Sequence, residues 1–232
     1  MRTKMLIGEE AFDKLKNSKV AIFGLGGVGS FAAEAIARAG IGEIDLFDGD
    51  IVDNTNINRQ LVALDDTVGK PKVEVMKERI SKINKSAKVC SNRVFFDRDT
   101  CDSYDFSNYS YVIDAIDTVS SKLLMIKKAF DAGVPIISSM GTANKLNPCD
   151  LEVCDVYETE NCPLARVMRR ELRKMKIDNL KVVFSKEKPK FTPNLCDENG
   201  KRINSSISFV PPVAGFILAS EVVKDIINKK EV

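Results

Sequence analysis

The 232-residue chain contains no histidine and no tryptophan. Without imidazole there is no Ser/His/Asp triad, no histidine general base and no Cys/His zinc site. The missing tryptophan excludes no chemistry. A large charge of one sign is also missing: 35 Lys and Arg face 33 Asp and Glu, a formal net charge of +2, so the chain as a whole is not built to bind a polyanion. The six cysteines, at 90, 101, 149, 154, 162 and 196, include no Cys-x-x-Cys pair. In a chain long enough to build a core without staples they read as reduced thiols of a cytosolic protein. The longest apolar run, Phe209 to Ala219, is too short to span a bilayer and carries Pro211 and Pro212. Met1 to Lys19 mixes charged and apolar residues and is no signal peptide. These absences predict a soluble, cytoplasmic protein with no membrane partner. With 44% hydrophobic and 29% charged residues the composition is that of an ordinary globular chain.

Residues 9–17 have helical spacing, and Val20 to Phe23 form a short apolar run that reads as a buried parallel strand. Gly24-Leu25-Gly26-Gly27-Val28-Gly29 follows, then an alanine-rich helix over Ser30 to Ala39, stopped by Gly40. Ile44 to Phe47 make a second strand that ends at Asp48. Further helices are expected over Val73 to Ile83, Val119 to Phe130, Cys162 to Lys176 and Val213 to Ile227, and further strands over Tyr111 to Ile113 and Pro135 to Ser139. Strand–helix alternation of this kind implies an α/β, Rossmann-like, mostly parallel sheet with helices on both faces. The alternation weakens after about residue 145, so the C-terminal third is elaborated. Residues 186–206 are polar and carry Pro189 and Pro193, which predicts a long loop. No repeat or low-complexity tract divides the chain, and a single domain over 1–232 is expected.

Gly24, Gly26 and Gly29 give G-x-G-x-x-G between a strand and a helix, the context in which a helix N-terminus holds phosphate. Asp48 lies 19 residues after Gly29, where a carboxylate accepts hydrogen bonds from ribose hydroxyls. The plain alternative is a glycine turn needed only for packing. The fingerprint does not choose between a nicotinamide cofactor and an adenine nucleotide, but the next segment does. Asp50 to Gln60 is dense in polar groups just beyond the strand, and Arg59, Lys72 and Asp117 supply the guanidinium, ammonium and metal-binding carboxylate that a triphosphate calls for. Asp114 and Asp117 both follow a strand end and are expected to face the same crevice. Taken singly, each could be a solvated loop charge.

Together, Gly24-x-Gly26-Gly27-x-Gly29, Asp48-x-Asp50-x-Val52-x-x-x-Asn56-x-x-Arg59-Gln60, Gly69-x-x-Lys72 and Asp114-x-x-Asp117 resemble the ubiquitin-activating-enzyme-like (ThiF) superfamily, whose members adenylate a carboxylate with ATP. The resemblance implies that Asp48 binds ribose, that Asn56, Arg59 and Lys72 bind phosphates, and that Asp117 holds Mg²⁺, with Asp50 in the same nucleotide site. It also implies a homodimer in which Arg2 enters the partner subunit's site. A more specific similarity covers nearly the whole chain. Arg2-Thr3 with Leu6-Ile7-Gly8-Glu9-Glu10, Asn54-Thr55-Asn56-x-Asn58-Arg59-Gln60, Ser138 to Lys145, Pro163 to Arg169 and Ser208 to Gly215 resemble the tRNA threonylcarbamoyladenosine dehydratases. Cys162 departs from that family, which more usually has aspartate there. This resemblance implies ATP-dependent adenylation of the threonyl carboxylate, ring closure by an internal nucleophile with loss of AMP, and a cysteine-desulfurase sulfur-relay partner. No enzyme thiol or histidine is required, which suits the composition.

The charge is segregated in a way that fits a tRNA partner. Between Arg166 and Lys190 ten Lys and Arg stand against three Asp and Glu, net +7, leaving about −5 for the rest of the chain. A solvated helix face and charged loop would look the same. Phe184 and Phe191 are the aromatics near that loop. Three other readings remain. A sulfur-carrier adenylyltransferase usually resembles its relatives in two Cys-x-x-Cys pairs and often in an acyl-accepting thiol, for which only Cys162 and Cys196 could serve. A nicotinamide-dependent redox or sensing module leaves Asn56, Arg59, Lys72 and Asp117 unexplained. A non-catalytic sulfur-relay protein would not need its phosphate-binding residues intact.

Overall fold

In the computed structural model, residues 2–190 and 204–229 are described. Short N-terminal helices α1 (Arg2–Ile7) and α2 (Glu9–Lys16) lead into β1 (Lys19–Phe23), α3 (Gly29–Ala39) and β2 (Glu43–Phe47). Then come α4 (Lys72–Ile83), β3 (Lys88–Asn92), β4 (Tyr111–Asp114), α5 (Val119–Asp131) and β5 (Ile136–Ser139). The C-terminal third adds β6 (Leu151–Asp155), α6 (Pro163–Lys174), β7 (Lys181–Ser185) and α7 (Val210–Asn228).

The seven strands form one sheet in the order β3-β2-β1-β4-β5-β7-β6, parallel throughout except for the antiparallel β6–β7 pair. Alternation along β1 explains the two-faced cover. Val20 and Ile22 join Ile44, Leu46 and Ile113 in a core shared with α3, α4 and α7. Ala21 and Phe23 face the other way, toward Phe47, Val112 and Met125 of α5. Phe23 and Phe47 stack with ring centroids 4.2 Å apart, and burial of each such ring stabilises the fold by roughly 1.5–3 kcal/mol. A third apolar cluster packs α6, through Ala165, Met168 and Leu172, on Val182 and Phe184 of β7.

The chain runs outward from β1 to β3 in one direction and from β4 to β6 in the other. The strand order therefore reverses between β1 and β4, and a crevice opens at their C-terminal ends. The glycine turn leaves β1 there and residues 115–118 leave β4 there.

Several expectations need correction. The edge strands β3 and β6 have half-exposed, polar-interrupted sequences that give little strand signal. β7 sits inside the basic segment, where Val182 to Phe184 form an apolar run between lysines. Helix α7 begins at Val210 rather than Val213, because Pro211 and Pro212 occupy its first turn, where no N–H is needed. Helix α6 ends at Lys174, with Lys176 at φ 57 beyond it.

Candidate active site

The glycine turn is shaped by close approaches. Gly24 has φ +86, and a Cβ there would lie 2.7 Å from the Ala115 carbonyl oxygen. A Cβ on Gly29 would lie 1.8 Å from the Gly24 carbonyl oxygen, so the helix can start this close to the strand only with glycine. Gly27 is covered by Pro211 and by the stem of Arg59, whereas Gly26 is open, with Gln60 Nε2 nearest at 3.9 Å. The Ser30 hydroxyl donates to the Gly26 carbonyl at 2.6 Å and accepts from the Leu61 N–H at 3.2 Å, tying this turn to the 54–61 segment.

Asp48 closes the turn from the side. Its Oδ2 accepts from the Leu25 N–H at 2.6 Å and its Oδ1 from the Asp50 N–H at 2.8 Å. Burial pushes its pKa up from the ordinary carboxylate value, and the Lys72 charge and the two N–H bonds offset only part of that. Lys72, at the first position of α4, is buried, and its Nζ lies 2.8 Å from Oδ2 of the half-exposed Asp50. Arg59 donates through Nη1 to the Thr55 carbonyl at 2.8 Å and to Asn58 Oδ1 at 2.9 Å.

A cleft of about 1090 Å³ unites these groups. Its wall includes Gly24, Gly26, Gly27, Asp48, Asp50, Arg59 and Asp117. Gly29 and the buried Lys72 are not part of that wall. Asn56 does not line it: this buried side chain holds its own turn, with Oδ1 accepting from the Asp53 N–H at 3.3 Å. Arg2 is exposed on α1 and is not part of the cleft wall. Asp114, expected to face the crevice, does not do so. It is fully buried, 2.9 Å from the equally buried Lys122 Nζ, and accepts from Ser138 Oγ at 2.5 Å. Lys122 also donates to the Ile116 and Ser139 carbonyls, both at 2.9 Å, and so braces the segment that presents the exposed Asp117.

Two side chains of this region, Lys122 and Phe95, escaped the sequence reading, and two more, Gln60 and Lys145, stand in its motifs without a role. Lys122 has no sequence signal, being one lysine among several on an ordinary helix. Gln60 is buried beside the glycine turn, and its Oε1 has no hydrogen-bond partner among the described residues. Phe95 is 63% exposed at the mouth, its ring against Gly49. Lys145 lies in the wall on the β5 side, near Cys162 and Leu164. Cys162 is the N-cap of α6, its Sγ accepting from the Ala165 N–H at 3.5 Å, a position aspartate also fills well. Cys196 and Phe191 lie outside the described residues, and Phe184 is buried in the core. The five described cysteines are free thiols.

As to a metal, no group of three or more His, Cys, Asp or Glu side chains comes together among the described residues. Asp117, a single exposed carboxylate in the wall, fits Mg²⁺, which typically takes one or two protein carboxylates and completes its shell with phosphates and water.

A parallel sheet with a glycine turn at its switch point, a carboxylate beyond the next strand and cations around one cleft define a Rossmann-like nucleotide-binding protein. The chain belongs to the ThiF family, which it matches over residues 1–232. It is similar to the tRNA threonylcarbamoyladenosine dehydratase of Bacillus subtilis, 43% identical over 242 residues covering 100% of this chain and 95% of that protein. The protein of that name in Escherichia coli is 42% identical over 171 residues, 74% of this chain and 64% of the relative. In three dimensions the chain matches the crystal structure of E. coli tRNA N6-threonylcarbamoyladenosine dehydratase in complex with ATP, with a TM-score of 0.88, 35% identity, and 97% of this chain and 92% of that one covered.

Proposed function

We propose that the chain dehydrates threonylcarbamoyladenosine in tRNA at the expense of ATP. The observation that carries this reading is a nucleotide cleft, built on a chain similar end to end to dehydratases, with wall to spare beyond the nucleotide-binding turn. In this reading Gly24 to Gly29 and the start of α3 receive phosphate, and Asp48 accepts from the ribose hydroxyls. Arg59 and Lys72 neutralise the phosphate oxygens as negative charge builds on the departing pyrophosphate. Mg²⁺ bound at Asp117 would add further charge neutralisation on the phosphates.

A threonyl carboxylate oxygen attacks the α-phosphorus and the bond to pyrophosphate breaks, leaving an acyl-adenylate. An internal nucleophile of the same modified side chain then attacks the acyl carbon, loses its proton, and expels AMP as the ring closes. The balance is one ATP consumed, one AMP and one pyrophosphate released, and one water lost from the base. The protein's part is positioning and charge stabilisation. Exposed cations of α6 would meet the tRNA backbone. The same reading carries a cytoplasmic setting, a homodimer with Arg2 reaching the partner's cleft, and a cysteine-desulfurase partner.

Activation of a sulfur-carrier protein is the weaker reading, because the described residues form no structural-zinc cluster and Cys162 serves as a helix cap. The test is AMP release from ATP and Mg²⁺ with tRNA bearing the modification, beside the same tRNA without it. AMP from the modified tRNA alone is expected. AMP from neither, together with pyrophosphate exchange driven by a ubiquitin-like carrier, would replace this reading with the second.

A further inference from the structure

Three lysines of the described chain are almost wholly buried: Lys72 at 5% exposure, Lys122 at 0% and Lys145 at 3%. Two of them rest on carboxylates, Lys72 on Asp50 and Lys122 on Asp114. Lys145 forms no ion pair among the described residues. One of its three donors goes to the Ser185 carbonyl at 2.8 Å. The acid closest to hand, Glu187, is engaged elsewhere, accepting from the Leu146 and Asn147 N–H groups at 2.8 Å each. A buried ammonium without a counter-ion is costly, and replacement by a neutral side chain would avoid that cost. Burial pushes the Lys145 pKa down, while Cys162, Glu187 and Asp150 pull it back toward the charged form.

The position of this lysine gives the charge a use. Lys145 lines the nucleotide cleft on the β5 side, away from the glycine turn, with Cys162, Pro163 and Leu164 beside it in the wall. Those three residues are the cap and first turn of α6, a 12-residue helix. The Cys162 cap takes the Ala165 N–H with its sulfur and the Arg166 N–H with its carbonyl, Pro163 has no N–H, and the Leu164 N–H has no acceptor among the described residues. An anion that enters this end meets an ammonium and the positive end of a helix together. The triphosphate has its own cations, Arg59 and Lys72, at the β1–β2 end, so the anion left to be bound here is the one to be adenylated.

We propose that Lys145 receives the substrate's carboxylate through a charge-assisted hydrogen bond, with the first turn of α6 as its second support, and so fixes the oxygen that attacks the α-phosphorus. This inference rests on the reading of the cleft as an adenylating site.

The test is calorimetric binding of free threonylcarbamoyladenosine nucleoside and of its methyl ester to the full chain loaded with a non-hydrolysable ATP analogue. The wild type is expected to prefer the acid over the ester by about 10- to 100-fold, the range of one charged hydrogen bond. Lys145→Met is expected to abolish that preference while the affinity for the ATP analogue stays within about twofold of wild type. If the methionine variant loses analogue binding or its melting transition, Lys145→Gln, which keeps a donor without the charge, is read instead, and an intermediate preference is expected. An acid preference unchanged in the folded variant, or absent in the wild type, overturns the inference. Because nothing here depends on turnover, a wild type that binds the acid selectively but releases no AMP with modified tRNA would count against the dehydration reading alone.

Discussion

Lys72 Nζ lies 2.8 Å from Asp50 Oδ2, one partner buried and the other half in solvent. The pair pins the start of α4 against the segment beyond β2, and the Lys72 N–H also donates to the Asp50 carbonyl at 3.1 Å. The asymmetry of burial decides what its loss does. Removal of Lys72 leaves its ion-pair partner Asp50 in a position that water already reaches, and the buried Asp48, which loses the same nearby charge, keeps its two N–H donors, so the full penalty for a stranded buried charge does not arise. Lys72→Ala is expected to melt near the wild type and to lose AMP formation by about 10²-fold or more, the scale of a lost charge on a developing anion. Activity within threefold of wild type would remove Lys72 from the phosphate site.

Asp114 and Asp117, three residues apart, predict opposite phenotypes. The Asp114–Lys122 pair is fully buried, so Lys122→Met strands a carboxylate and should cost about 3–5 kcal/mol in chemical denaturation. Asp117 is exposed, and Asp117→Ala should leave the denaturation midpoint unchanged while abolishing Mg²⁺-dependent AMP release. Equal stability of the two variants would contradict the division of labour.

The glycines divide in the same way. Gly29→Ala places a Cβ 1.8 Å from the backbone oxygen of Gly24 and should prevent a native melting transition or displace the turn. Gly26→Ala meets nothing nearer than 3.9 Å, so it should fold normally and bind ATP more weakly, because its methyl group occupies phosphate space. Unchanged ATP affinity in Gly26→Ala, measured by calorimetry, would show that phosphate does not lie against this turn.

Much of this site was legible in the sequence because its signals are local. The glycine turn, Asp48 and Asp117 each follow a strand end that is apolar enough to recognise, and Arg59 lies in the polar run beyond one; Gly24, Gly26, Gly27, Asp48, Arg59 and Asp117 line the cleft, whereas Gly29, Asn56, Lys72 and Arg2 do not. What escaped depends on burial and long-range contact. Asp114 and Asp117 look alike in the chain, and only the Lys122 ammonium, reached through the packing of α5, separates a buried brace from an exposed carboxylate of the cleft wall. Lys145 is one lysine in a polar stretch until β7 brings the Ser185 carbonyl to it. The missed strands β3 and β6 are sheet edges, where half-exposed residues blur the two-residue alternation.

The basic helix α6 gives a prediction about tRNA. Arg170 and Lys174 are paired with Glu171, Arg169 is held by Thr159, and Arg173 lies over the Tyr157 ring. Arg166 is exposed and forms no ion pair among the described residues. Arg166→Ala should weaken modified and unmodified tRNA alike and reduce the slope of log affinity against log salt by about 1. A slope equal to that of the wild type would return this face to solvent.

In the proposed reaction, ATP is used to remove water from one modified base. The most direct test is mass analysis of nucleosides digested from tRNA after reaction with the chain, ATP and Mg²⁺, with AMP measured in the same sample. Threonylcarbamoyladenosine is expected to be replaced by a nucleoside lighter by one water, with one AMP per base converted. Unaltered modified nucleoside, with or without AMP, would contradict it.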